Sequence, residues 1–227
     1  MDGSELVKQI PPIAKGVAEI IATVPLADIV KRICAPTADL LGEKAKQRIE
    51  LCFEKTAKIA QDAGFTPQAV PPKLLVPILQ GASLEDDEDL HTMWAALLAN
   101  GASPDQADNV RPGYVALLKQ MAPDEASLMN WVYDAADQGT EHNTPTGLIE
   151  TVGRAFDSEE LQLAFYKNGL GKADGTTRAF GSALGSLVAY QLIRRIYEAA
   201  VGGKEMYCLT TRGSEFVRAC RPPKPKC

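Results

Sequence analysis

Apolar side chains recur at every third or fourth position along most of the chain, a spacing typical of amphipathic α-helices. The clearest stripe follows Pro36 and stops at Gly64, a residue type that commonly closes a helix. Charged residues cover the opposite face of this stripe. Shorter stripes predict further helices over residues 12–24, 26–34, 73–80, 84–101, 112–121, 123–139, 145–156, 158–168 and 178–192. The pattern therefore predicts a mainly α-helical protein with a multi-helix body.

The last fifty residues change from helical spacing to the pattern expected of strands. Residues 193–200 and 206–210 are predicted strands, and Gly202-Gly203 between them is a strong hairpin turn signal. A short capped helix follows the second strand. This order is how a winged-helix domain ends, with the two-stranded β-hairpin as the wing and helix 178–192 as the recognition helix.

These elements divide the chain into four predicted regions. A polar loop at 140–143 and a glycine-rich stretch at 169–177 mark an insertion within the C-terminal domain. The regions are an N-terminal helical region (1–64), a helical core (65–122), a winged-helix-like C-terminal domain (123–221) with a helical or loop insertion at 140–177, and a tail (222–227).

A run of five acidic residues stands at the start of the helix that precedes Gly101. Ser83 is the predicted N-cap, and Asp86 three residues later completes a capping box. The carboxylates lie at the positive end of the helix dipole. Consecutive residues fan around a helix and cannot converge on one metal ion, so we expect a solvated helix start. The alternative is a contact surface for a basic partner or for the chain's own basic C-terminal part, formed by Glu85, Asp86, Asp87, Glu88 and Asp89.

Composition and charge narrow the class of protein. The 227 residues are 45% hydrophobic and 23% charged, as in ordinary globular proteins, and the net charge of −5 argues against a dedicated non-specific nucleic-acid binder. The charge is unevenly divided: residues 178–227 hold nine Lys and Arg against three Asp and Glu. This basic end could contact phosphate or another anion, although the same residues could simply keep the domain soluble. The candidates are Arg178, Arg194, Arg195, Lys204 and Arg212.

The residues that usually carry catalysis or bind metals are sparse. Five cysteines have no C-x2-C spacing, and the two histidines, His91 and His142, have no metal-ligand spacing. His91 is predicted to be a partly exposed helix residue that could pair with Asp87. No nucleotide-binding fingerprint occurs. We therefore expect no catalytic residue, metal or cofactor, and a reduced cytoplasmic protein without a targeting signal.

A family resemblance adds to this interpretation. Residues 71–129 carry a P-K-L-x-x-P-I-L entry, an S-L-E-D-D-E-x-L helix start, a W-x-x-L-L-A-N helix and an L-x-x-M-x-P-x-E-x-x-L segment. Together with the LI-R … LT-x-x-G-x-x-F ending, these motifs resemble the abortive infection alpha (Abi-alpha) family of bacterial proteins. The resemblance implies a link to phage defence and carries over no catalytic residues.

Two functional hypotheses follow. The first is a non-enzymatic phage-defence protein that acts through a protein partner, self-association or the inner membrane. Its apolar-rich residues 10–34 either pack in the core or lie on the membrane surface. No small-molecule substrate is expected. The second hypothesis is a winged-helix DNA-binding regulator, whose DNA binding would be weak because the body of the chain is acidic.

Overall fold

The structure is a computed structural model, and it describes residues 40–136, 141–142, 151–167, 177–198 and 204–224. Within these ranges the chain is mainly helical with one small antiparallel sheet, as the sequence predicts. Its elements are α1 (Leu40–Asp62), α2 (Pro72–Leu84), α3 (Glu88–Gly101), a 3-10 turn (Ala107–Asn109), α4 (Pro112–Leu118), α5 (Pro123–Ala135), β1 (Glu141–His142), β2 (Thr151–Asp157), α6 (Ser158–Lys167), α7 (Thr177–Ala189), β3 (Ile193–Glu198), β4 (Lys204–Thr210) and α8 (Thr211–Ala219).

Tertiary contacts divide the chain into two compact units. The first comprises residues 1–119 together with 219–227, and the second comprises residues 120–218. The predicted N-terminal helices before residue 36 lie outside the described residues. So do the hairpin turn at 199–203 and residues 143–150 and 168–176. Within the described part of the chain, no helix is both long and apolar enough to cross a membrane.

The first unit is built on α1, which packs against α2 and α3. Gly64 ends α1 in the left-handed conformation, with φ of +73°. The Gly64 amide donates to the Gln61 carbonyl and the Phe65 amide to the Ala60 carbonyl, both at 3.1 Å. These two bonds form a Schellman motif and confirm the helix end predicted from the glycine.

The start of α3 differs from the prediction. Helix α2 continues to Leu84, so Ser83 lies inside its last turn, where the hydroxyl donates to the Gln80 carbonyl at 2.9 Å. The N-cap of α3 is Asp87, whose Oδ1 accepts from the amides of Asp89 and Leu90 at 3.0 and 2.9 Å. The predicted Ser83–Asp86 capping box is therefore wrong, because Asp87, four residues after Ser83, satisfies the free amides at the start of α3.

The second unit contains the sheet, in the strand order β1-β2-β4-β3. The predicted hairpin β3–β4 is present as an antiparallel pair, but it belongs to a four-stranded sheet among the described residues. Strand β2 adds to β4, so the prediction of a helix over 145–156 is wrong for residues 151–156. This strand also means that 140–177 is not simply a helical or loop insertion. The buried Phe156 packs its ring 5.5 Å from that of Trp131.

A bulge in β2 is held by Arg154. The register with β4 shifts between Val152 and Ala155, and Gly153 in the bulge has φ of +74°. The Arg154 guanidinium donates to both carboxylate oxygens of Glu160 at 2.6 and 3.0 Å. It also lies 4.2 Å from the centroid of the Phe156 ring. This forked pair joins β2 to α6.

Candidate functional site

A cavity of about 560 Å³ lies at the base of the β3–β4 hairpin in the second unit. Its volume falls within the range of small-molecule sites, roughly 300–1,000 Å³. Three guanidinium groups, two hydroxyls and one amide side chain surround it, together with two apolar side chains. The lining residues are Val188, Gln191, Ile193, Arg194, Arg195, Thr210, Thr211 and Arg212.

The turn between α7 and β3 forms one wall of this cavity. Helix α7 ends in a Schellman motif, in which the Gln191 amide donates to the Val188 carbonyl and the Leu192 amide to the Leu187 carbonyl, both at 3.0 Å. Gln191 occupies the left-handed position with φ of 60°. Glycine is the usual residue there because a Cβ is strained in this conformation. A glutamine at this position therefore indicates that its side chain is used.

The junction between β4 and α8 forms the opposite wall. The Thr210 amide donates to the Leu192 carbonyl at 3.0 Å, and the Thr210 Oγ1 accepts from the Gly213 amide at 2.8 Å. A Cβ on Gly213 would overlap the Leu192 carbonyl oxygen. Glycine at this position thus allows the first turn of α8 to approach the α7–β3 turn.

Side-chain hydrogen bonds position the guanidinium groups of Arg212 and Arg195 at the cavity. Arg212 Nη1 donates to Gln191 Oε1 at 3.3 Å, which explains the use of a side chain at position 191. Arg195 Nη1 lies 3.5 Å from Glu205 Oε1, and the Tyr207 hydroxyl donates to the other oxygen of that carboxylate at 3.2 Å. Arginine stays protonated at all physiological pH values, so the site carries fixed positive charge.

Three of the five predicted anion-contact residues meet at this cavity. Arg194 and Arg195 come from β3, and Arg212 comes from α8. The backbone of Lys204 pairs with Glu198 at the far end of the hairpin, and its side chain is outside the described residues. Arg178 lies in the first turn of α7, and its side chain is outside the described residues.

Adjacent strand residues point to opposite faces of a sheet, so Arg194 and Arg195 lie on opposite faces of β3. Both line the cavity, which lies where the start of β3 meets the end of β4 and the start of α8. Gln191, Thr210 and Thr211 were not predicted as site residues. The sequence carries no signal for them, because only the fold brings the α7–β3 turn beside the start of α8.

The acidic run at residues 85–89 faces the basic side of α1 in the first unit. Lys44 pairs with Asp86 at 2.7 Å, Arg48 lies 3.5 Å from Glu88, and Lys55 pairs with Glu88. The hydrogen bond from Lys44 lowers the pKa of the Asp86 carboxyl, and that from Lys55 lowers the pKa of Glu88.

Among the described residues, the ion pairs of this run join it to α1. Its contact with the chain's own basic C-terminal part stays a prediction. Asp87 caps α3, and Glu85 Oε1 accepts from the Asp87 amide at 3.0 Å. The contact of this run with a separate basic partner remains a prediction.

His91 is buried, contrary to the prediction of a partly exposed residue. Its Nε2 lies 3.0 Å from the Arg48 carbonyl and does not pair with the Asp87 carboxylate, which caps α3 instead. A carbonyl only accepts, so Nε2 carries the proton, and the buried Nδ1 has no hydrogen-bond partner among the residues that the structure describes. Burial lowers the pKa of this imidazole, which is therefore neutral at physiological pH.

Three of the described cysteines, Cys52, Cys208 and Cys220, are buried thiols that form no disulfide bond. Burial raises the pKa of the Cys52 thiol to about 12 and raises the pKa of Cys220 as well. Both thiols are protonated near neutral pH, and a protonated thiol is a poor nucleophile. Among the described residues, no group of three or more His, Cys, Asp and Glu side chains could hold a metal ion.

The fold and the cavity define a mainly helical protein of two compact units, one of which carries an arginine-lined cavity. The family described as abortive infection alpha matches residues 43–220 of the chain. The chain therefore belongs to the abortive infection alpha family, which its motifs predicted and which links it to phage defence. No curated protein and no solved structure matches the chain.

The family-like W-x-x-L-L-A-N motif lies on α3 in the first unit. Trp94, Leu97 and Leu98 are buried in the core of that unit. The buried Asn100 donates from Nδ2 to the carbonyls of Ala219 and Arg221 at 2.9 and 2.8 Å. The motif thus packs the first unit and fixes residues 219–221 against α3.

Proposed function

We propose that this protein is a non-enzymatic phage-defence protein that acts by recognising a partner and not by converting a substrate. The observation that carries this proposal is the arginine-lined cavity, whose lining includes three arginines, two threonines and a glutamine. Guanidinium groups bind and orient anions, and they are poor proton carriers because their pKa is so high. The cavity is therefore suited to recognition.

The second unit has features that support a winged-helix module. Its elements follow the order helix, two strands, two helices and hairpin, from α5 through β1, β2, α6 and α7 to β3–β4. The strand β2 adds to β4, the second strand of the hairpin. In this interpretation α7 is the recognition helix and β3–β4 is the wing, and the cavity lies between them at their junction.

A DNA-binding regulator is the less favoured use of such a module. Residues 120–218 hold nine Lys and Arg against thirteen Asp and Glu, a net charge of −4, whereas duplex-binding domains are usually basic. Arg194 and Arg195 lie on opposite faces of β3, so they do not form one flat basic surface for a duplex. We expect any duplex binding to be weak and sensitive to salt.

A plaque assay tests whether the cavity serves phage defence. A triple variant with Arg194→Gln, Arg195→Gln and Arg212→Gln removes the three cavity cations. The matched control carries Arg111→Gln, Lys167→Gln and Arg218→Gln, which removes three exposed cations elsewhere and gives the same net charge. We expect the cavity variant to lose protection by an order of magnitude or more and the control to keep it. Equal protection by both folded variants would contradict the proposal.

Two further measurements separate the modes of action. Fractionation of phage-infected cells distinguishes a soluble complex with a protein partner from attachment to the membrane, in which the apolar-rich residues 10–34 would take part. A gel-shift titration tests the regulator alternative. A specific complex with duplex DNA at nanomolar protein in near-physiological salt would favour the regulator over the partner-binding proposal.

A further inference from the structure

We infer that the cavity at the base of the hairpin binds a small phosphate ester of about nucleotide size. This inference rests on the proposed function, because it takes the cavity to be a recognition site. It goes further by naming the chemical group and the size of the ligand. It also departs from the expectation that no small molecule takes part, although the ligand is bound here and is not converted.

The charge around the cavity matches a phosphate monoester better than a carboxylate. Three of the lining residues, Arg194, Arg195 and Arg212, are cations, and Arg195 lies beside Glu205. A phosphate monoester carries about −1.5 to −2 at pH 7 and can engage more than one guanidinium group, whereas a carboxylate carries a single negative charge.

The donor geometry also favours phosphate. A phosphate ester presents three acceptor oxygens in different directions, and guanidinium forks approach such groups in pairs of parallel hydrogen bonds. The guanidinium groups come from two elements, β3 and α8, so they reach the cavity from different sides. The Thr210 hydroxyl borders the same space but donates to the carbonyls of Gln191 and Leu192, at 2.8 and 3.0 Å, so the arginines and not this hydroxyl would bind the ligand.

The volume of the cavity and the apolar part of its lining indicate that the ligand carries an organic group beside the phosphate. The cavity of about 560 Å³ is much larger than a phosphate group and lies within the range of sites for small organic molecules. Val188 is half-buried and lines the cavity beside the arginines, whereas Ile193 lines it but is almost fully buried. A ligand with a phosphate at the arginines and a flat or aliphatic part against Val188 would fit this lining.

Calorimetric titration of the full chain tests the inference. The probes are adenosine monophosphate, its nucleoside adenosine, and inorganic phosphate alone. We expect the monophosphate to bind, inorganic phosphate to compete with it, and adenosine to bind at least tenfold more weakly, which is a difference of about 1.4 kcal/mol. Binding of adenosine as tightly as its monophosphate would overturn the inference, as would absence of binding by both phosphates at millimolar concentration.

Matched variants locate the site. Arg212→Gln removes a cavity cation at the start of α8, and Arg218→Gln removes an exposed cation from the same helix outside the cavity. We expect the first change to weaken monophosphate binding tenfold or more and the second to leave it unchanged. Equal losses would indicate a general charge effect and contradict the assignment. Arg195→Gln, at a half-exposed side chain, repeats the test should Arg212→Gln reduce folding.

Two competitors distinguish the source of the phosphate. A short DNA duplex and vesicles of phosphatidylglycerol present the same chemistry on a macromolecule or a surface. If either binds more tightly than the monophosphate and loses affinity with Arg212→Gln, the small-ligand inference is wrong. The proposed function has a separate readout, which is phage protection. If the cavity variant loses protection but the wild type binds no monophosphate, the small-ligand inference is wrong and the cavity recognises another partner.

Discussion

Gly81 on α2 lies directly against the indole ring of Trp94 on α3, and a Cβ at position 81 would overlap that ring. The Trp94 side chain is 1% exposed and belongs to the core of the first unit. The glycine therefore allows α2 and α3 to pack with the largest aromatic side chain between them. This contact explains why a glycine at position 81 and a tryptophan at position 94 occur together in the family-like segment 71–129.

Replacing Gly81 with Ala should destabilise the first unit by about 1–3 kcal/mol, because the methyl group overpacks a full core. Trp94→Ala should cost about 3–5 kcal/mol by leaving a cavity. In the double variant the cost of Gly81→Ala should fall, because the ring that it overlaps is gone. Urea unfolding followed by circular dichroism measures all three.

Gly113→Ala is the control for this pair. Gly113 lies in the same unit on α4, and a Cβ there would meet nothing within 4 Å. We expect this change to be neutral or slightly stabilising. A loss of stability equal to that of Gly81→Ala would mean that the first unit tolerates neither change, and the specific overlap with Trp94 would then not be the cause.

The acidic run contains one residue with a structural role that its neighbours do not share. Asp87→Ala removes the N-cap of α3 and should cost about 0.5–2 kcal/mol. Asp89→Ala removes an exposed first-turn carboxylate and should change stability by less than about 0.5 kcal/mol. Thermal unfolding of the two single variants compares them directly. Equal effects would contradict the assignment of Asp87 as the cap.

His91 should make the first unit less stable in mild acid. Burial lowers its pKa from the ordinary value of 6.5, so in this range the folded state binds fewer protons than the unfolded state. The stabilisation is therefore complete above pH 6.5 and is lost as the pH falls below it. Unfolding measurements between about pH 7 and pH 5 should show this loss.

His91→Gln is the variant that checks this assignment, because its amide can still donate to the Arg48 carbonyl without taking up a proton. Its stability should vary less over the same pH range. The pKa values of Asp86 and Glu88 are also lowered, from 3.8 and 4.5, so their stabilisation is lost only in more acidic solution. An unchanged pH dependence in the variant would rule out His91 as the source.

The helices were predictable because each carries a local stripe and a local stop signal. Gly64 is an example, since its role at the end of α1 follows from a few neighbouring residues. Strand β2 was missed because its bulge at Gly153 and Arg154 breaks the alternation of a strand. Its partner β4 also lies some fifty residues later, and pairing over that distance leaves no local pattern.

The candidate site was predictable only in part for the same reason. Arg194, Arg195 and Arg212 are visible as a basic concentration near the C-terminus. Their meeting at one cavity depends on the left-handed turn at Gln191 and on the close approach at Gly213. From the sequence alone, a glutamine at position 191 and a glycine at position 213 give no indication of an anion site.

Gln191 should therefore show opposite effects on stability and on binding. Gln191→Gly places the preferred residue at the left-handed end of α7 and relieves backbone strain of about 1 kcal/mol, so the melting temperature should rise. The same change removes the acceptor that holds Arg212 at 3.3 Å, so affinity for adenosine monophosphate should fall. Gln191→Asn tolerates the left-handed conformation but has a shorter side chain, and it should also lose affinity. A glycine variant that is more stable and binds as tightly as the wild type would show that Gln191 does not position Arg212 for the ligand.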